Sequence, residues 1–333
     1  MTPREKLVRF AKDSLGIVNS AGADLIPLAG RGSDRIYYRF LWGAQNTAIL
    51  MHYKMERTEN AYFAEIALYL AENEIPVPRI IRHDPDACLI LMKDLGSSDL
   101  WHFRSEPWDV RRTLYEKSLQ IVYRLHSLPE TRFPSERVRL MESFGPKLYR
   151  WEREYFQNNF IENLCELKLE PAVADRLEAE LAGLADRLAS GKRNLVHRDL
   201  QSQNVMIYEN EPFLIDFQGM RFGTSFYDLG SILCDPYVNF SPSERMEMLY
   251  YYYSLGDQIP AWDVFLNAFW EASTQRLMQA LGAYGFLGIT KGLKSYLVHV
   301  PAGVRNLRTA VEKAGSLPTL LELCTRAESR LKI

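Results

Sequence analysis

The stretch LVHRDLQSQNVMIYENEPFLIDF, residues 195–217, constrains the fold more than any other part of the chain. Two short apolar runs, NVMIY and FLID, flank Glu-Asn-Glu-Pro, the pattern of two strands joined by a tight turn. A His, an Arg, two Asp and an Asn crowd between and beside them. Burying unpaired polar side chains costs free energy, so a core strand has no use for these groups. They mark a site.

The spacing within the stretch is chemically specific. His197-Arg198-Asp199 is followed by Asn204 and, after the apolar run FLI, by Asp216-Phe217. H-R-D-x-x-x-x-N with a following D-F is the residue set of phosphoryl transfer in kinase-like sites. An alcohol attacking a γ-phosphate needs a carboxylate to orient it and accept its proton, a role that suits Asp199. The transferring phosphate needs Mg²⁺, which prefers hard oxygen ligands; Asn204 offers a neutral one and Asp216 a charged one. A hairpin would bring these two together although they are twelve residues apart. His197, at a strand end, fits a brace for the loop rather than a proton carrier. Asp228, in SFYDLGSIL, leaves two roles open: a plain acid at a helix N-terminus, or the acceptor for the catalytic loop's backbone N–H groups.

The rest of the chain divides by pattern. Two strand-like runs flank GAQN within residues 25–55, and TENAYFAEIALYLAENE reads as a helix ended by IPVP. CLILMKDLG is a buried strand. Past Gly96 the helical period dominates, in RRTLYEKSLQIVYRLHSL, PKLYRWEREYFQNNF and PAVADRLEAELAGLADRLA. MTPREKLVRFAKDSLG reads as an amphipathic helix with a Thr2/Glu5 capping box, Pro3 in its first turn and Gly16 at its end, and not as a signal peptide. The expected class is α+β, with a β-rich nucleotide-binding lobe over 1–94 and a larger, mainly helical catalytic lobe over 95–333, the latter carrying an insert at about 130–190. At 333 residues the chain is long enough for two lobes. Its formal net charge of -2 advertises neither a nucleic acid nor an anionic membrane as partner. Four widely spaced cysteines argue against a zinc site or a disulfide framework and fit a cytoplasmic setting. No apolar run approaches the ~18 residues of a membrane span. A monomer is expected.

HRDLQSQN with LIDFQ, preceded by IPVPRII and LILMKDLG, resembles the aminoglycoside phosphotransferase/choline kinase family. Within it, GRGSDRIYYRF, LHSLP and YLVHVPAGVRNL are most similar to bacterial anomeric N-acetylmuramate/N-acetylglucosamine kinases, which act in cell-wall sugar recycling. The resemblance covers roughly residues 25 to 310 and is looser between 130 and 190. It implies a protein-kinase-like bilobal fold using ATP and Mg²⁺ to phosphorylate a hydroxyl of a small molecule. An aminoglycoside, choline or homoserine kinase is the neighbouring alternative, and an inactive nucleotide-binding scaffold the third. One feature separates small-molecule from protein kinases: only GMRFGTSFY lies between Gln218 and Asp228, too short for a peptide platform and without A-P-E.

The β-rich part departs from the protein-kinase pattern. Instead of G-x-G-x-x-G it has GRGSDR, whose Gly30, Gly32 and Ser33 could turn backbone N–H groups toward phosphates. Met51 stands near the usual lysine, so Lys54, Arg35 or Arg39 is the expected phosphate-binding cation, and Glu65 fits the glutamate that pairs with that lysine in the family. The backbone of Leu91, Met92 and Lys93 is the expected contact for the adenine edge. For the acceptor, Trp151 and Glu154 lie in the insert, and His299 and Arg305 in YLVHVPAGVRNL, where the histidine either reaches the site or satisfies a buried helix end.

Overall fold

The computed structural model describes the whole chain except residues 1, 19–22, 29–34, 259 and 333. Its elements run α1 (Pro3–Leu15), β1 (Asp24–Pro27), β2 (Ile36–Trp42), β3 (Asn46–His52), α2 (Phe63–Glu72), β4 (Ile80–Asp84) and β5 (Leu89–Lys93). Then follow α3 (Trp108–His126), α4 (Pro146–Phe156), α5 (Pro171–Ser190), β6 (Asn194–Val196), β7 (Val205–Tyr208), β8 (Glu211–Leu214) and β9 (Arg221–Gly223). The chain ends with α6 (Ser225–Leu233), α7 (Pro242–Ser254), α8 (Trp262–Gly285), α9 (Val300–Ala314) and α10 (Pro318–Leu331). It divides into two compact units, of α+β class taken together. One gathers the described residues up to Ser98 with Pro134–Met141 and Val205–Gly219; the other holds the rest.

The first unit is built on an antiparallel sheet of order β1-β2-β3-β5-β4. Its central strands are apolar on both faces. Ala48, Leu50, Leu89 and Leu91 join Phe40 and Leu25 in a core that α1 covers through Leu7, Val8 and Ala11. Met51, Ile90 and Met92 alternate with them and are buried too. The α1 capping box forms as the sequence predicts, Thr2 accepting from the Glu5 N–H at 3.2 Å. The prolines do not end α2. Glu74 takes φ 57°, and Ile75 N–H reaches Leu70 O at 2.9 Å, a Schellman closure that stops the helix earlier. Its predicted first turn is a 3-10 turn over Thr58–Tyr62.

The β7–β8 hairpin belongs to this unit. Glu209 and Asn210, at φ 53° and 62°, form the two-residue turn that suits strand twist, and Val205 pairs with Leu214 at the other end. Its backbone is anchored on both sides, by Ile207 N–H to Ser98 O at 2.8 Å and Leu214 N–H to Pro76 O at 2.9 Å.

The second unit is organised by α8. A helix of this length spans about 36 Å, and from Phe269 to Gly282 every residue is buried. It therefore has no solvent face on which to leave its polar residues, and each must find a partner. Thr274 bonds back to Trp270 O, while Gln275 and Arg276 reach outward to other elements. Gly230 of α6 lets that helix approach closely: a Cβ there would sit 2.8 Å from the Ser273 Cα. No described helix is long and apolar enough to cross a membrane, and the four cysteines are unpaired.

Gly230→Ala forces α6 from α8. Urea denaturation is expected to show a loss of about 1–3 kcal/mol; an unchanged midpoint would mean that the two helices separate freely.

Candidate active site

In the helical unit, β6 pairs with β9 and delivers the chain to His197. Asp228, fully buried in the first turn of α6, accepts the His197 N–H through Oδ2 at 2.6 Å and the Arg198 N–H through Oδ1 at 2.8 Å. Of the two roles open to Asp228, the structure gives it the loop. Arg198 needs this support. At φ 77° it is left-handed, a conformation that costs a side-chain-bearing residue ~1–2 kcal/mol, and charge-assisted bonds from one carboxylate offset that cost. Further along, Asp235 Oδ2 takes the Ser202 N–H at 2.8 Å and its hydroxyl at 2.6 Å. Asn204 Nδ2 donates to Asp199 O at 2.8 Å, which commits the amide nitrogen to the loop and leaves its oxygen as the acceptor. His197 is fully buried and braces the loop through its backbone.

Asp199 has 27% of its side chain exposed, enough for a small molecule to reach it. Arg198 Nη1 lies 2.7 Å from Oδ2, and Arg276 Nη2 is 3.7 Å from Oδ1. Burial alone would push this carboxyl up, but Arg198, Arg276, His197 and Arg221 together hold it below its ordinary value. Arg276 is itself buried and fixed, Nε to Ser231 Oγ at 3.0 Å and Nη1 to Gln279 Oε1. The carboxylate is thus ionised at neutral pH, as a base must be.

Sequence reasoning missed the other acid. Glu152 and Glu154 share α4, and the exposed one, Glu154, was the expected acceptor contact. Glu152 is instead fully buried, accepting Tyr227 Oη at 2.9 Å and Gln275 Nε2 at 2.9 Å. Burial drives its pKa up, against the pull of Arg198, Gln275, Tyr227 and Arg276. The available signal was the polar run STQR in the middle of α8, between the mainly apolar runs NAFW and LMQALG, which has to be answered by buried partners. Trp151 is 48% exposed and stacks on Tyr155 with ring centroids 5.0 Å apart, on the outer side of α4. Arg305 is exposed on α9. His299 is half-buried at the start of α9 and makes no cap bond; its ring packs edge-on against Tyr237, centroids 4.2 Å apart. Tyr284, buried, and Tyr296 continue that aromatic cluster, and Tyr284 lies within the field of Arg276.

In the sheet unit the three candidate cations part company. Arg39 is tied to Asp94, Nε to Oδ2 at 2.6 Å, and to Gly96 O at 2.8 Å. Lys54 is exposed beyond the end of β3, 3.9 Å from Glu56. Arg35 is buried, and its Nη2 lies 2.6 Å from Asp216 Oδ1. Gln218 Nε2 donates to the same oxygen at 3.2 Å, and Asp216 sits at φ 63°. Glu65 does not pair with a lysine: Arg139 grips it, Nη2 to Oε1 at 2.6 Å and Nε to Oε2 at 3.1 Å. The expected adenine contact, Leu91 to Lys93, lies at the end of β5. β5 is paired with β3 and β4, so the ladders engage the backbone of Leu91 and Met92, and Lys93 N–H is taken by Arg79 O at 2.9 Å. Unladdered backbone begins at Asp94. Lys93 itself lies over the Tyr208 ring at 4.2 Å. Gly30, Gly32 and Ser33 lie outside the described residues.

Among the described residues no group of three His, Cys, Asp or Glu could hold a metal alone. The Asn204 amide and the Asp216 carboxylate each offer a hard oxygen of the kind Mg²⁺ prefers.

The profile of the phosphotransferase enzyme family matches residues 24–265. Relatives named N-acetylmuramate/N-acetylglucosamine kinase are 25% identical in Pseudomonas aeruginosa, over 90% of this chain and 88% of that one, and 22% in Neisseria meningitidis, over 90% and 89%. Among solved structures, a choline/ethanolamine kinase family protein from Mesorhizobium loti aligns at TM-score 0.64 and 14% identity, covering 95% of this chain and 99% of that one. An ADP-bound aminoglycoside phosphotransferase aligns at 0.59 and 16%, covering 93% and 98%. These two likenesses establish the kinase-like fold.

The raised pKa of Glu152 makes a pH prediction. An acid whose folded value lies above its unfolded one contributes stability below the unfolded value and loses it as pH rises through the folded value. Glu152→Gln removes that loss. Relative to the parent, the variant is expected to gain stability in urea titrations as pH rises from about 4 to 7; parallel curves would contradict the assignment.

Proposed function

The chain belongs to the phosphotransferase enzyme family, and on that premise we propose that it transfers the γ-phosphate of ATP to the anomeric hydroxyl of N-acetylmuramate or N-acetylglucosamine. The observation that carries the reading is Asp199: an ionised, reachable carboxylate on a loop fixed by Asp228. The acceptor follows from the relatives, which match at nearly full length under that enzyme name. The aromatic edge of Tyr237, Tyr296 and His299, backed by the buried Tyr284, supports a pyranose acceptor, since sugar rings pack on aromatic faces. Burial holds His299 below its ordinary pKa, so it offers a neutral edge.

In this mechanism Asp199 accepts the proton of the acceptor hydroxyl as that oxygen attacks the γ-phosphorus in line, and the bond to the ADP oxygen breaks. Arg198 and Arg276 keep Asp199 unprotonated and oriented before the attack. Mg²⁺, held by Asn204 and Asp216, would supply the neutralisation of phosphate charge. Because Val205 and Leu214 pair at the open end of the hairpin, Asn204 just before it and Asp216 just after it are the natural pair for one ion. Arg35 is the cation we assign to the triphosphate in place of the absent lysine; it is the candidate beside Asp216. Asp94 and Leu95 take the adenine edge.

An ADP-release screen over amino sugars, aminoglycosides, choline and homoserine tests the acceptor. Turnover with the two N-acetylated sugars is expected, and turnover only with a cationic acceptor would refute it. Asp199→Asn should lower kcat by about 10²–10⁴-fold while ATP binding persists; a retained kcat removes the base. Arg35→Ala should raise the KM for ATP by about tenfold, worth ~1.4 kcal/mol, with Lys54→Ala near the parent. The reverse order would move the phosphate cation to Lys54.

A further inference from the structure

His126 and Tyr252 have no part in the reaction as described, yet His126 touches the carboxylate that holds the catalytic loop and Tyr252 touches His126. His126 ends α3 and is 4% exposed. Its Nε2 lies 3.1 Å from Asp228 Oδ2, the oxygen that also accepts the His197 N–H. Its Nδ1 lies 2.8 Å from Tyr252 Oη. Its carbonyl accepts Asn194 Nδ2 at 2.7 Å, from the first residue of the strand that feeds the loop. An ionised carboxylate only accepts hydrogen bonds, so Nε2 carries the hydrogen, and in a neutral imidazole Nδ1 is then the acceptor for the tyrosine hydroxyl. One neutral tautomer satisfies both contacts.

Asp228 has two oxygens and three donors, and the donors fix both its position and its tilt. The loop N–H groups alone would leave the carboxylate without the third donor that His126 supplies. Arg198, strained at φ 77° next to Asp199, is the residue that any tilt reaches first.

We propose that His126 is a positioning residue for phosphoryl transfer: it fixes the Asp228 carboxylate, and through it the backbone at His197–Arg198 that aims Asp199. This rests on the reading of Asp199 as the base. His126 and Tyr252 also line a cavity of about 560 Å³ bounded by Tyr123, Asn194 and Phe265. That cavity makes the proposal testable by chemical rescue, because a free imidazole can occupy the space a deleted side chain leaves.

In the full chain, His126→Ala is expected to lower kcat by about 10–100-fold, the scale on which outer partners of a site act, with both KM values changed by less than about twofold. Added imidazole should restore much of the loss. His126→Gln, whose amide nitrogen can donate to Asp228, should retain more activity than the alanine variant. Where the alanine variant does not fold, His126→Gln and Tyr252→Phe carry the test, each with a smaller kcat loss at constant KM. An unchanged kcat in His126→Ala or, failing that, in both substitutes overturns the proposal, as does a loss that neither imidazole nor glutamine relieves. The Asp199→Asn assay separates the two readings: a retained kcat there sinks the base whatever His126 does.

Discussion

The buried carboxylate of Asp228 is the contact on which the catalytic loop depends. It accepts two consecutive backbone N–H groups and one imidazole, and it does so from the first turn of a helix, where the peptide dipoles favour negative charge. A buried charge is tolerated only when paired and hydrogen-bonded, and here the pairing is the function. The bonds that stabilise the carboxylate also hold Arg198 left-handed, and that conformation turns the loop at the residue before Asp199.

Around Asp199 the protein concentrates cations that are themselves buried. Arg221 is pushed below its ordinary pKa by burial and by Arg198, a measure of how much positive charge this region carries. Glu152, held by Gln275, answers part of it from α4, and Ser231 and Gln279 hold Arg276 in place. Because α8 is buried through its middle, its polar residues cannot relax toward water. This rigidity keeps Arg276 at its distance from Asp199 rather than collapsed onto it.

Local signals in the sequence were read correctly where the chemistry is local. The hairpin lies within one short stretch, although its turn is Glu209-Asn210 alone and Glu211 and Pro212 already belong to β8, and the α1 capping box lies within four residues. What the sequence concealed lies between distant segments. Arg139 grips Glu65 from 74 residues away, and Gln275 meets Glu152 from 123 residues away. No periodicity reports such pairs. The pairing of β5 is hidden for a related reason: an apolar strand does not reveal that both of its edges are laddered until its neighbours are known. The helix stop at Glu74 was misread because a left-handed glutamate leaves no mark in the sequence, whereas the prolines after it do.

Phosphorus NMR of the product made from ATP and N-acetylmuramate tests the account most directly. It predicts a sugar phosphate whose resonance couples to the anomeric proton, formed by the parent and lost with Asp199→Asn. A phosphate on any other hydroxyl, or the same product at the parent rate from the variant, would contradict it.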